Sequence, residues 1–295
     1  MAERTDLVPA RVRVAFAHAA VQQVASSAGT DVLHIKGLAA DEDLRPPGGG
    51  ASDADILARP QDVVRLIAAL RGTGWEQRNR FDTGSPFGHA VNLTHPHWGH
   101  ADIHRFFPGM HHDPEAAFGA LWADRGERSI AGFDCPVPSR PGQVLLLVLN
   151  LARNRRAAAA DPRVQAVRTE SGGVLWAEVD RLVDRLDARV GFDTGLGELE
   201  RYRGHPDYWL WRVTTRGGTR VEEWLARVRA ARGLRGKARL LMRAPLVNID
   251  HLANVLGREP TRGEVCREFA HRWRRAVLDD LPALVRRSSR WRERP

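Results

Sequence analysis

Val32-Leu33-His34-Ile35-Lys36-Gly37 and, after a glycine-rich break, Ser52-Asp53-Ala54-Asp55-Ile56-Leu57 are the stretches on which the fold turns. The first reads as a short buried strand that runs into a lysine and a glycine. The second reads as a strand whose two carboxylates share a face, because side chains alternate along an extended chain. Working outward, Gly99-His100-Ala101-Asp102-Ile103-His104-Arg105-Phe106 offers a third strand with an acid at its centre. Three carboxylates on neighbouring strands make a nest for hard divalent cations, which take oxygen ligands and keep other positions for water and phosphate. The chemistry such a nest points to is phosphoryl or nucleotidyl transfer.

Around these strands the pattern alternates with helices. Pro9 to Ala28 has helical spacing and stops at Gly29; Pro60-Gln61-Asp62 opens a second helix to about Arg71, with Val63, Leu66, Ile67 and Leu70 on one face. Gly37 to Leu44 allows a helical turn or two. Pro46-Pro47-Gly48-Gly49-Gly50 can only be loop. Trp75 to Arg80 is a short strand, and Phe87–Thr94 with His100–Phe106 form a hairpin around His95-Pro96-His97-Trp98-Gly99. Asp113 and Pro114 cap and start a helix to about Ala123, and Ser129 to Pro138 reads as extended and irregular. Pro141-Gly142 closes the first domain. Beyond it, Val144 to Leu151 is apolar nearly all round, and helical patterns cover Ala157–Val167, Leu175–Val190, Leu196–Arg201, Val221–Ala231, Gly236–Arg243 and Arg262–Arg286. The expectation is an α+β protein: a core domain of residues 1–140 with a small mixed sheet and flanking helices, then a helical domain of residues 141–295.

Composition narrows the class. A chain of 295 residues, 43% hydrophobic and 27% charged, is long enough for two domains and too apolar to be disordered. No apolar run reaches the ~20 residues of a membrane span, and Met1 to Asp6 lacks a signal core, so a cytoplasmic protein with no membrane partner is expected. Two distant cysteines, Cys135 and Cys266, exclude a disulfide framework. Residues 1–150 carry 14 Lys and Arg against 17 Asp and Glu, whereas residues 151–295 carry 31 against 19. A near-neutral half bearing the acids, joined to a basic half, suits polyanionic substrates. Lys36 and Lys237 are the only lysines in an arginine-rich chain. An ammonium at the end of an apolar strand is thus a choice of a compact point charge over a guanidinium fork.

The order strand, Lys-Gly, Arg-Pro, Ser-Asp-x-Asp-Ile-Leu, helix, hairpin, Asp-Ile-His resembles the bacterial uncharacterised nucleotidyltransferase family of the DNA polymerase beta-like nucleotidyltransferase superfamily, over residues about 10–150. The resemblance implies two divalent metals, Mg2+ or in its place Mn2+. It also implies transfer of a nucleoside monophosphate from a nucleoside triphosphate (NTP) to an acceptor, small molecule, protein or RNA. By position it makes Asp53 and Asp55 the paired catalytic, metal-binding acids and Asp102 the third. It sets Lys36 and Gly37 at the phosphate-cradling turn, with Arg45 and Ser52 beside the nucleotide. Pro47 to Ala51 lengthens the loop after Arg45 relative to the family pattern.

Two other readings stay open at this point. His89, His95, His97, His100, His104, His111 and His112 crowd one region, and His100, Asp102 and His104 share a strand face, as a metallohydrolase-like site would require. His104 could instead orient Asp102 or touch substrate. Trp209, Trp211, Trp224, Trp273 and Trp291 among arginines suit nucleic-acid stacking on a degenerate transferase core, although aromatics at helical spacing usually form core. The second Asp-x-Asp, Asp41-Glu42-Asp43, reads as a solvated loop.

Overall fold

Alanine and valine at helical spacing make the first helix, α1 (Ala10–Ser27), which buries Val14, Ala17, His18, Val21 and Ala25. These small side chains let it lie close against a sheet. The computed structural model describes residues 8–46, 52–81, 87–154, 158–231, 233–243 and 258–275, with single positions from 247 to 278. Strand β1 (Val32–Ile35) is buried throughout. It leads through two short 3₁₀ turns, Gly37–Ala39 and Glu42–Leu44, towards β2 (Ala54–Ala58). Helix α2 (Val63–Gly72) follows, and β3 (Glu76–Gln77), β4 (Ala90–His95) and β5 (Gly99–His104) complete the sheet.

The strand order is β1-β2-β5-β4-β3. The β2–β5 pair is parallel and the others are antiparallel. Period-2 alternation then sorts the side chains. Ala54, Ile56, Ala58, Val91, Leu93, Ala101 and Ile103 point one way, into a core shared with Ala17, Val21 and Ala25 of α1 and Val63, Leu66 and Leu70 of α2. Residues of opposite parity, including Asp55, Asn92 and Asp102, are left for the other face. The mixed sheet with flanking helices is the expected α+β architecture.

Elsewhere the structure revises the expectations. Residues 129–138 are regular: β6 (Gly126–Ile130) and β7 (Phe133–Val137) form a hairpin closed by Ala131 and Gly132, at φ 49° and 83°. Such two-residue turns need positive φ at both positions, and an alanine in one of them hides the signal. After α3 (Pro114–Ala123), whose N-cap Asp113 accepts from Glu115 and Ala116 as its Asp-Pro start predicts, helix α4 (Arg140–Arg153) runs straight through the expected boundary at 140/141. The chain divides into one unit of Met1–Asn150 with Ala158–Phe192, and another of Leu151–Ala157 with Asp193–Pro295. Pro141 ends nothing because it occupies the first turn of α4, where its missing N–H costs nothing.

Asp41 and Asp43 are not merely solvated. Arg128 and Arg140 bind Asp41 at 2.5 and 3.0 Å, Arg140 also binds Asp43 and Glu170, and Gln143 accepts from the Asp41 backbone N–H at 2.7 Å. These ties clamp α4 to the turn after Lys36. Farther on, α5 (Pro162–Thr169) is followed by two helices, α6 (Val174–Arg185) and α7 (Arg189–Gly195), where one over 175–190 was expected. The break is Asp187, at φ 48°.

The second unit continues with α8 (Tyr208–Arg216), α9 (Arg220–Ala230), α10 (Gly233–Arg243) and α11 (Arg262–Arg275). Helix α8 escaped the sequence reading because Trp, Val and Thr are weak helix formers. Of the five tryptophans, Trp211 is core, Trp224 is partly buried, Trp209 and Trp273 are exposed and Trp291 lies outside the described residues. The Arg286–Arg294 tail also lies outside them. Among the described residues no helix is long and apolar enough to cross a membrane.

Candidate active site

Register builds the site. Ile35 pairs with Asp55, Asp55 with Asp102, and Asp102 with Asn92, so one row crosses four strands. The two acids are neighbours on the parallel pair, facing away from the α1–α2 core. Just past the end of β1 the chain turns sharply, with Lys36 at φ 60° and Gly37 at φ 51°. Positive φ is rare for a residue with a Cβ and costs of order 1 kcal/mol or more. The turn directs the Lys36 ammonium back over the row. Its Nζ sits 2.6 Å from Asp55 Oδ1, and His104 Nε2 approaches the same oxygen at 2.9 Å. The His104 ring is fixed by stacking on buried Phe107, with centroids 6.1 Å apart.

Asp102 is held from the other side. The Asn92 amide donates to Asp102 Oδ1 across the hairpin, and Asn79 grips Asn92 twice: its Nδ2 donates to Asn92 Oδ1 and its Oδ1 accepts from the Asn92 N–H at 2.9 Å. Among the described residues no hydrogen-bond partner reaches Oδ2 of Asp55 or Asp102. Ligand atoms of Asp55, Asp102 and His104 all lie within 4.8 Å of one another.

The charges compete. Burial acts to raise the Asp55 pKa, but the Lys36 ammonium and the His104 hydrogen bond outweigh it and hold the carboxyl below the usual carboxylate range. Asp102 makes no ion pair with Lys36, whose ammonium acts on it only from a distance. Burial, then the negative charges of Asp55 and Asp53, push it up to about 7 against the Asn92 hydrogen bond. Asp53 is raised too, by burial and by Asp55, with Ser52, Lys36 and His100 opposing. The charge on Asp55 thus raises the proton affinity of both Asp53 and Asp102, and crowded oxygen donors of this kind fit a divalent cation.

Not every predicted residue converges. Asp53 lies on the same face, half-buried, with Ser52 Oγ donating to it at 3.0 Å, but it is outside the Asp55–Asp102–His104 group. Arg45 turns elsewhere: Nε and Nη2 donate to the carbonyls of Ala40 and Leu38 at 2.9 and 3.1 Å, and Nη1 faces Glu42, so the guanidinium holds its own turn together. The Pro47–Ala51 loop lies outside the described residues. Of the trio His100, Asp102 and His104, His100 is exposed, and Asp55 takes its place in the cluster.

Asn92 and Asn79 escaped the sequence reading. The turn His95–Gly99 carries a signal for Asn92, since counting back along both arms sets it opposite Asp102. Asn79 carries none, because β3 is two residues long. Comparison of the chain with protein-family models, with curated proteins and with solved structures finds no match.

Proposed function

We propose that this chain is a metal-dependent nucleotidyltransferase, moving a nucleoside monophosphate from an NTP to the hydroxyl of an acceptor with release of pyrophosphate. The observation that carries the reading is the convergence of Asp55 and Asp102 in one row of the sheet beside the Lys36 ammonium. The resemblance of the Lys-Gly and Ser-Asp-x-Asp-Ile-Leu motifs to the nucleotidyltransferase pattern supports it.

Asp55 and Asp102, with Asp53 at the rim, would hold the cation; the cation, when bound, polarises the α-phosphoryl group and lowers the pKa of the acceptor hydroxyl. The chain's own groups do the rest. Asp102 accepts the hydroxyl proton as the new O–P bond forms and the bond from the α-phosphorus to the α–β bridging oxygen breaks. Lys36 and the N–H groups at the Gly37 turn supply positive charge for the departing pyrophosphate. His104 keeps Asp55 oriented. A nucleoside triphosphate substrate is in keeping with the cytoplasmic location expected from the sequence.

The test is transfer of label. Each α-labelled NTP is incubated with the protein, Mg2+ and cell extract; label should move to an acceptor with wild type and not with Asp55→Asn. No transfer from any NTP, or stoichiometric tightly held zinc in the purified protein, would contradict the reading.

A further inference from the structure

The two carboxylates that would hold the cation share a pattern. Each has Oδ1 occupied by protein donors and Oδ2 without a partner among the described residues. For Asp55 the donors are Lys36 and His104; for Asp102 the donor is the Asn92 amide. A carboxylate with one oxygen fixed presents the other along a defined direction, and such support is worth one to two decades of metal affinity. The Asn92 amide is itself held. Its orientation is set by chemistry, because Nδ2 must face the carboxylate and Oδ1 must face a donor, and Asn79 Nδ2 supplies that donor. Asn79 Oδ1 also takes the Asn92 backbone N–H at 2.9 Å, so Asn79 leans on side chain and main chain alike. Asn79 lies just past β3, at the sheet edge, two residues after its last paired position.

Asn92 is therefore unlike its neighbours on the strand. Thr94, two residues on and on the same face, meets Arg78 Nε at 2.6 Å and among the described residues makes no hydrogen bond to Asp55 or Asp102.

We propose, resting on the functional reading above, that Asn79 and Asn92 are positioning residues: a two-amide relay from the sheet edge that aims Asp102 Oδ2 at the cation.

Mn2+ affinity, followed by water-proton relaxation alongside thermal melting, tests it. Wild type should bind Mn2+. Asn92→Ala should weaken binding about 10- to 100-fold, and Asn79→Ala should weaken it less but in the same direction. Thr94→Ala should bind as wild type does. Equal affinity in wild type and Asn92→Ala, or an equal loss in Thr94→Ala, would overturn the relay while leaving the metal site standing. Should Asn92→Ala fail to fold, Asn79→Ala decides alone: undiminished affinity overturns the relay. Absence of Mn2+ binding by wild type would instead overturn the functional reading beneath it.

Discussion

Asp102 binds its proton more tightly in the folded protein than a free carboxyl does, because it is buried beside two other acids. Its folded pKa of about 7 lies above the ordinary 3.8, so its protonated form stabilises the metal-free fold at low pH and that contribution is lost as pH rises through 7. An amide cannot ionise. Asp102→Asn should accordingly melt higher than wild type at pH 8 in chelator, by on the order of 2 kcal/mol, with the gap closing at pH 5, while losing turnover altogether. Equal stability at both pH values would contradict the crowding of charge described above. Asp55→Asn should also abolish turnover, yet it strands the Lys36 ammonium without its partner and should not gain stability. These acids and Lys36 were legible from sequence because alternation sorts strand residues by parity. Arg45 was misjudged for a related reason: proximity in sequence to the acids says nothing about which carbonyls a long side chain will reach.

Between helix and sheet lies a second buried polar pair. His18 of α1 and His34 of β1 meet Nδ1 to Nδ1 at 2.8 Å, and His34 Nε2 reaches Gln22 Oε1 at 2.9 Å. Since Gln22 Oε1 can only accept, His34 carries its proton on Nε2 and His18 donates from Nδ1, with both rings neutral. Burial lowers the His18 pKa from 6.5 to about 4, and lowers His34 further below its ordinary value, with His18 adding to the effect. The unfolded chain thus binds more protons between these limits, so stability falls as pH drops below 6.5. For His18 alone the loss approaches about 3 kcal/mol by pH 4. Denaturant titration from pH 7 to pH 4 should show that slope, and a His18→Leu/His34→Val double variant should flatten it. In the core itself Leu66→Ala, fully buried on α2, should cost about 2–5 kcal/mol in the same assay. Leu66 was placed by its periodicity; the histidine pair was not, because nothing in one strand or one helix announces which face of the other it will meet.

At the scale of the molecule, the acids, the sheet and the helices up to Phe192 fall in one unit, and the basic helices from Asp193 in another. The sequence showed that a helical half follows a sheet-bearing half. It misplaced the boundary, because an apolar helix such as α4 looks the same whether it opens one unit or closes another. A fragment ending after Gly197, which stands at φ 88° beyond the last turn of α7, should keep the sheet by circular dichroism and the proposed Mn2+ binding at Asp55 and Asp102. A fragment that is unfolded would show that the helical half is needed for the core to stand.

The most direct measurement is anomalous diffraction from crystals of the full chain grown with Mn2+ and a non-hydrolysable NTP. A manganese peak within coordination distance of Oδ2 of both Asp55 and Asp102 is the predicted result. The contrary one is ordered nucleotide or metal elsewhere on the protein, with Lys36 still closing on Asp55 and nothing bound between the two carboxylates.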